Sequence, residues 1–146
     1  MFMLERHSSL LVRPLRFLIV GGINTLLGLS IIYVLIWAFH LHDVWANLIG
    51  YCIGIAVSFL LNARWTFSFR GPFGGAAWRF VAIVGLGYLA NLATVSVCLY
   101  GLSLPSFIAQ AAGVLPYALV TYLGSKFFVF VQRLEPKSVA DLKTTL

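Results

Sequence analysis

The sequence predicts an all-α integral membrane protein: four transmembrane helices arranged as two helical hairpins, with both termini on the cytoplasmic side. Three observations carry this reading. Of the 146 residues 61% are hydrophobic and only 10% charged, with a mean hydropathy of +0.97. Soluble domains carry about 25% charged residues, so this excess of apolar surface calls for a bilayer. The apolar residues fall into four runs, each able to hold the ~20 residues that cross ~30 Å of hydrocarbon. All ten Lys and Arg lie on one side of that four-span reading, and cationic loops resist translocation.

The elements follow in order. An N-terminal cytoplasmic tail, residues 1–14, carries Arg6 and Arg13. Span one, Leu15–Phe39, is longer than the ~7–15-residue apolar core of a cleaved signal peptide. The connection His40–Asp43 has no Lys or Arg, and span two runs Val44–Arg64. The middle loop, Ser68–Ala77, is rich in Gly and Pro and is expected to be a flexible joint; Arg64, Arg70 and Arg79 flank it. Span three is Trp78–Leu102, the connection Gly101–Pro105 again lacks cations, and span four is Ser106–Val131. The membrane domain is therefore 15–131. A second cytoplasmic tail, 132–146, holds Arg133, Lys137 and Lys143. The expected location is the bacterial inner membrane.

The hairpins look like copies. A slide of 63 residues without a gap places Arg16 on Arg79, Phe17 on Phe80, Gly22 on Gly85, Gly50 on Gly113, Leu60 on Leu123 and Phe67 on Phe130. The expected repeats are 16–67 and 79–130. Each unit has two spans, so both insert the same way round, as a parallel repeat about an axis along the membrane normal.

Span two carries Ala46, Gly50, Gly54, Ser58 and Asn62, and span four carries Ala109, Gly113, Tyr117, Thr121 and Ser125. A step of four keeps these residues on one helix face. Close packing is the first reading, because lipid does not drive apolar helices together and small residues let backbones approach. Gly50, Gly54 and Gly113 are the expected packing positions. The alternative is that these faces line a polar path.

Several function classes are disfavoured. The positive-inside pattern accounts for the net charge of +6 without nucleic acid. Cys52 and Cys98 lie in apolar runs without metal-ligand spacing. No paired carboxylates or Ser-His-Asp arrangement suggests an enzyme or a cofactor. His40, His42 and Asp43 suit a solvated loop better than a metal site; His7 is in the N-terminal tail. A proton-coupled multidrug transporter needs an intramembrane acid, but Glu5, Asp43, Glu135 and Asp141 all lie outside the spans.

The residues left to carry function are polar or cationic. Arg16, Arg64, Arg79 and Lys126 stand at the four helix ends on the cation side. Each is able to act as a snorkelling anchor. Together, with Asn62, they form a ring suited to a phosphate or pyrophosphate, Arg64 being the best bidentate donor. Asn24, Asn47, Asn91, Gln110 and Ser125 are polar positions within the spans, either hydrogen-bonding glue between helices or contacts for a polar cargo. Pro116 kinks span four or hinges it.

Three segments carry a resemblance: Arg16-Phe-Leu-Ile-Val-Gly-Gly-Ile-Asn-Thr25, Phe59-x-x-Asn62-x-Arg64-Trp65-Thr66-Phe67, and Lys126-Phe-Phe-Val-Phe130. On these the chain resembles the GtrA-like family of four-span membrane proteins of cell-surface polysaccharide synthesis, over residues 15–131. The resemblance implies a role with polyprenyl-phosphate sugars, usually described as flipping them between leaflets. Ala63 and Phe128 stand where the family pattern often has a second basic residue and a Trp. The resulting expectation is translocation of a polyprenyl-phosphate-linked sugar. The alternative is a membrane partner that docks a cytoplasmic glycosyltransferase. Four helices make a thin shell for a glycolipid, so a homodimer is expected.

Overall fold

The computed structural model describes residues 2–131, with side chains from residue 11 onward. The tail 132–146, with Arg133, Glu135, Lys137, Asp141 and Lys143, lies outside the described residues, as do the side chains of Glu5, Arg6 and His7. Among the described residues the regular structure is entirely helical. Helix α1 is Phe2–Trp37, α2 is Asp43–Leu61, α3 is Phe73–Ser96 and α4 is Ser106–Gly124. Four stretches are long and apolar enough to cross a membrane: Leu11–Trp37, Asp43–Thr66, Phe73–Gly101 and Ser106–Val129. The chain is an integral, multi-pass membrane protein. In hydrocarbon every backbone polar group must find a partner within the chain, and a helix supplies that partner within one segment.

Helix starts are set by local chemistry. His42 caps α2, its Nδ1 accepting from Val44 N at 3.3 Å. Asp43 in the first turn complements the positive end of the helix dipole. Pro72 and Pro105 stand directly before α3 and α4 with φ of −65° and −57°. A proline ring holds φ near those angles and brings no N–H to leave unpaired at a helix start. Pro116 lies inside α4, which runs through it.

Two boundaries differ from the sequence expectation. Helix α1 begins at Phe2 rather than at Leu15, so the expected N-terminal tail continues the first span as one helix. Half of the Ser68–Ala77 joint is helical: α3 starts at Phe73 and includes Gly74 and Gly75. Phe69 is buried, and its amide donates to Ala63 O at 2.7 Å. The Gly-Gly pair sits just after the proline that starts α3, and the loop before it is tied to the core by Phe69.

Helices α2, α3 and α4 each end in a five-residue π turn, Asn62–Thr66, Val97–Gly101 and Ser125–Val129. Phe67 N donates to Asn62 O at 2.9 Å, Leu102 N to Val97 O at 3.0 Å and Phe130 N to Ser125 O at 2.9 Å. The chain then leaves through a left-handed residue, Ser68 (φ 49°) after α2 and Ser103 (φ 52°) after α3; His40 (φ 50°) does the same after α1. An L residue there is strained. Ser103→Gly is therefore expected to stabilise the protein by about 0.5–1 kcal/mol, read as a higher unfolding midpoint in detergent.

Helix α1 packs along α2, and α3 along α4. The small-residue faces lie in these two interfaces: Ala46, Gly50, Gly54, Ala109, Gly113, Thr121 and Ser125 are all buried. A Cβ added to Gly50 would stand 2.5 Å from Ile32 Cγ1, and one added to Gly113 would stand 2.6 Å from Asn91 Nδ2. Gly54 has more room, with Asn24 Nδ2 at 3.5 Å. Asn24 thus faces a glycine on α2. At the positions displaced by 63, Gly87 instead faces Tyr117, with its Cβ site 3.2 Å from that ring. Large and small residues pair in both hairpins, in opposite order.

The buried core shared by the hairpins lies at one end. Phe59, Phe67, Phe69, Phe80 and Phe130 form it with Ala63, Ala76, Ile83 and Val129. Phe67 stacks on Phe130 at 5.0 Å, Phe59 on Phe130 at 5.8 Å, and Phe17 meets Tyr122 edge-on at 5.4 Å. Each such pair contributes about 0.5–1.5 kcal/mol beyond area burial. At the opposite end the second cluster, Val95, Cys98 and Ala109, belongs to α3, its π turn and α4 alone.

Candidate functional site

The shared aromatic core lies where α1 and α3 enter the bundle and α2 and α4 leave it. The antiparallel hairpins therefore bring Arg13, Arg16, Arg64, Arg70, Arg79 and Lys126 to one end. Asp43, the one acid whose side chain is described, opens α2 at the other end. Among the described residues no carboxylate stands beside these cations, so the described part of this end is strongly positive.

The cations divide into two kinds. Arg16 is half-buried, and its Nη1 donates to Trp65 O at 3.1 Å while the guanidinium lies 5.6 Å above the Trp65 ring. Arg79 is also half-buried. Its Nε donates to Gly75 O at 3.0 Å and its Nη1 to Phe128 O at 3.3 Å. These two guanidinium groups are engaged within the protein. Arg64 is exposed and has no side-chain partner among the described residues. Lys126 is half-buried, its Nζ 4.8 Å above the Phe127 ring. Displaced by 63, Arg64 falls on Phe127 and Lys126 on Ala63. Ala63 is fully buried, so the cations of the two π turns, Arg64 and Lys126, occupy different environments; Arg13 and Arg70 at the same end are exposed as well.

Asn62 does not join them. It is 1% exposed; its Nδ2 donates to Ser58 O at 2.9 Å and its Oδ1 accepts from Thr66 at 3.0 Å. Its amide ties the end of α2 to the π turn. Ser125, at the equivalent place, is fully buried and its Oγ has no partner among the described residues.

The polar residues deeper in the spans do not form one lining. Asn24 and Asn91 lie inside the two hairpin interfaces, against Gly54 and Gly113. The Oδ1 of Asn24 is buried without a donor among the described residues. Asn47 donates to Asp43 O at 2.8 Å within its own helix, and Gln110 is exposed. Thr25 and Thr121 return their hydroxyls to carbonyls four residues back, at 3.0 and 2.7 Å. These placements match interhelical packing more closely than a continuous polar track.

Sequence reasoning missed the engagement of Arg16 and Arg79. One signal was present. Arg16 to Trp65 and Arg79 to Phe128 both span 49 residues, and one pair is the other displaced by 63.

If this end is cytoplasmic, single cysteines at Gly74 are expected to resist an impermeant external thiol reagent, while those at His42 and Ser103 react. Strong external labelling at Gly74 would reverse the orientation.

A family model described as GtrA/DPMS, transmembrane domain, matches residues 16–130. No curated protein sequence and no solved structure matches the chain.

Proposed function

From the premise that the chain belongs to the GtrA/DPMS transmembrane family, whose members are membrane proteins of glycoconjugate synthesis, we propose that it translocates a polyprenyl-phosphate-linked sugar across the bilayer. One observation supports this most: in the two π turns Arg64 and Lys126 donate no hydrogen bond among the described residues, whereas Arg16 and Arg79 are spent on carbonyls. A guanidinium offers a planar fork for two phosphate oxygens, and an ammonium adds a point charge. The phosphate binds at the cation end, which faces the cytoplasm by the positive-inside rule. The polyprenyl chain stays in lipid. The bundle works as a homodimer, because four helices enclose little room for a sugar.

The test is a vesicle assay. Purified protein is reconstituted with a radiolabelled polyprenyl-phosphate sugar in one leaflet, and its appearance in the other is read with an impermeant glycosidase. Transfer well above protein-free vesicles is expected. Exposed Arg64, Arg70, Trp65, Phe127 and Phe128 at the same end favour one second reading, a docking platform for a cytoplasmic glycosyltransferase. No transfer, together with stoichiometric binding of such an enzyme, would put that reading first.

A further inference from the structure

We infer that Arg16 and Arg79 are positioning residues: each caps the π-helical end of the neighbouring helix from outside, and so fixes the aim of the free cation beside it. A helix end leaves its last carbonyls without intrahelical donors. An arginine that supplies such a donor ties the helix end to its neighbour, which water at the interface does not do. Arg16, on α1, donates to Trp65 O, in the π turn of α2. Arg79, on α3, donates to Phe128 O, in the π turn of α4. A cation is also the favoured partner for the negative end of a helix dipole.

Each capped carbonyl lies close in the chain to a free cation. Trp65 follows Arg64 directly, and Phe128 is two residues past Lys126. The Asn62 amide acts one turn earlier than the Trp65 cap, and among the described residues the hydroxyl of Ser125 makes no bond. The Arg16 cap is strengthened by the Trp65 ring beneath the guanidinium. The Arg79 cap is anchored by a second bond to Gly75 O. The same device thus appears in both hairpins with different reinforcement. The capping half of the inference stands on the hydrogen bonds; the positioning half rests on the transport reading above.

The experiment compares two double variants in the full-length, reconstituted protein. Arg16→Met with Arg79→Met keeps the stems and removes the donors. Arg16→Lys with Arg79→Lys restores one donor and one charge at each site. Amide hydrogen exchange is read at Phe67, Phe69 and Phe130, whose N–H groups close the π turns. With the Met pair, exchange there is expected to rise about tenfold or more while the middles of α2 and α4 stay protected. With the Lys pair it is expected to remain within about threefold of the parent. Transport is expected to follow, with a raised KM in the Met pair and near-parent values in the Lys pair. Unchanged exchange in the Met pair overturns the caps. Raised exchange with normal transport overturns the positioning role. A Lys pair that keeps its protection but loses transport overturns it as well, because the guanidinium would then be touching the phosphate. If the parent protein transports nothing, the transport reading falls while the exchange comparison still decides the caps.

Discussion

Gly113→Leu is expected to abolish the folded α3/α4 hairpin. The added side chain begins 2.6 Å from Asn91 Nδ2 and 2.8 Å from Val95 Cγ2, with Asn91 Cγ at 3.1 Å. All are side-chain atoms on one facing helix; the Asn91 amide can swing aside, but Val95 is stiff at χ1, so a full leucine side chain pushes α3 and α4 apart. Overpacking costs about 1–3 kcal/mol when a core can still adjust. Here three further heavy atoms follow the first clash, so the upper part of that range or more is expected. Separation also removes the close approach that holds apolar helices together in lipid. The measurement is the unfolded fraction in a graded denaturing-detergent titration. Gly54→Ala is the control. Its Cβ would meet Asn24 at 3.5–3.6 Å, ordinary contact, and alanine is the better helix former by about 0.8–1 kcal/mol. A Gly113→Leu protein with the parent midpoint would mean that these helices do not pack as described.

Replacing Arg64 and Lys126 together with Gln is expected to reduce transport to the protein-free background at normal membrane levels. The two residues are the unengaged basic groups of the π turns, and the remaining eight cations still set orientation. Arg64→Lys separates anchor from ligand. If Arg64 only orients the span, charge is enough and Lys serves. If it grips a phosphate through two parallel N–H bonds, Lys loses the fork, and transport is expected to fall at least about tenfold, the loss of one charge-assisted bond of ~1.5–3 kcal/mol. Lys126→Arg is expected to be mild. Full transport by the double Gln protein would remove the phosphate role and leave docking as the better account.

The number of spans and the gathering of cations were legible because both are properties of composition along the chain. Hydrocarbon thickness sets the length of a run, and charge marks its ends. The glycine faces were legible too, since a step of four needs only helical periodicity. What could not be read was non-local. Phe69 lies in a Gly- and Pro-rich stretch that reads as a loose joint, but it is buried against Phe130 from the other end of the domain, at 5.5 Å. Asn62 reads as a ligand because it is polar and stands near a cation. Its bonds to Ser58 and Thr66 use the amide up inside its own helix. Arg16 and Arg79 looked like members of one ring with Arg64 and Lys126. Only the placement of neighbouring helices shows that two of the four are already occupied by backbone.

The reversed order of large and small residues in the two hairpins bears on how the chain chooses partners as it enters the membrane. Were α3 to pair with α2, Gly87 would meet Gly54 and leave a gap. Were α1 to pair with α4, Asn24 would meet Tyr117 and overfill the seam. Bulk thus adds to the short connections, 38–42 and 102–105, in telling apart two segments similar enough to be mistaken for one another. A nascent chain that has delivered only its first three helices already holds a mated pair and a third helix that meets it through Phe73 and Phe80 while its glycine seam is still open. The seam of α3 is completed only by α4, the segment that follows it in the chain.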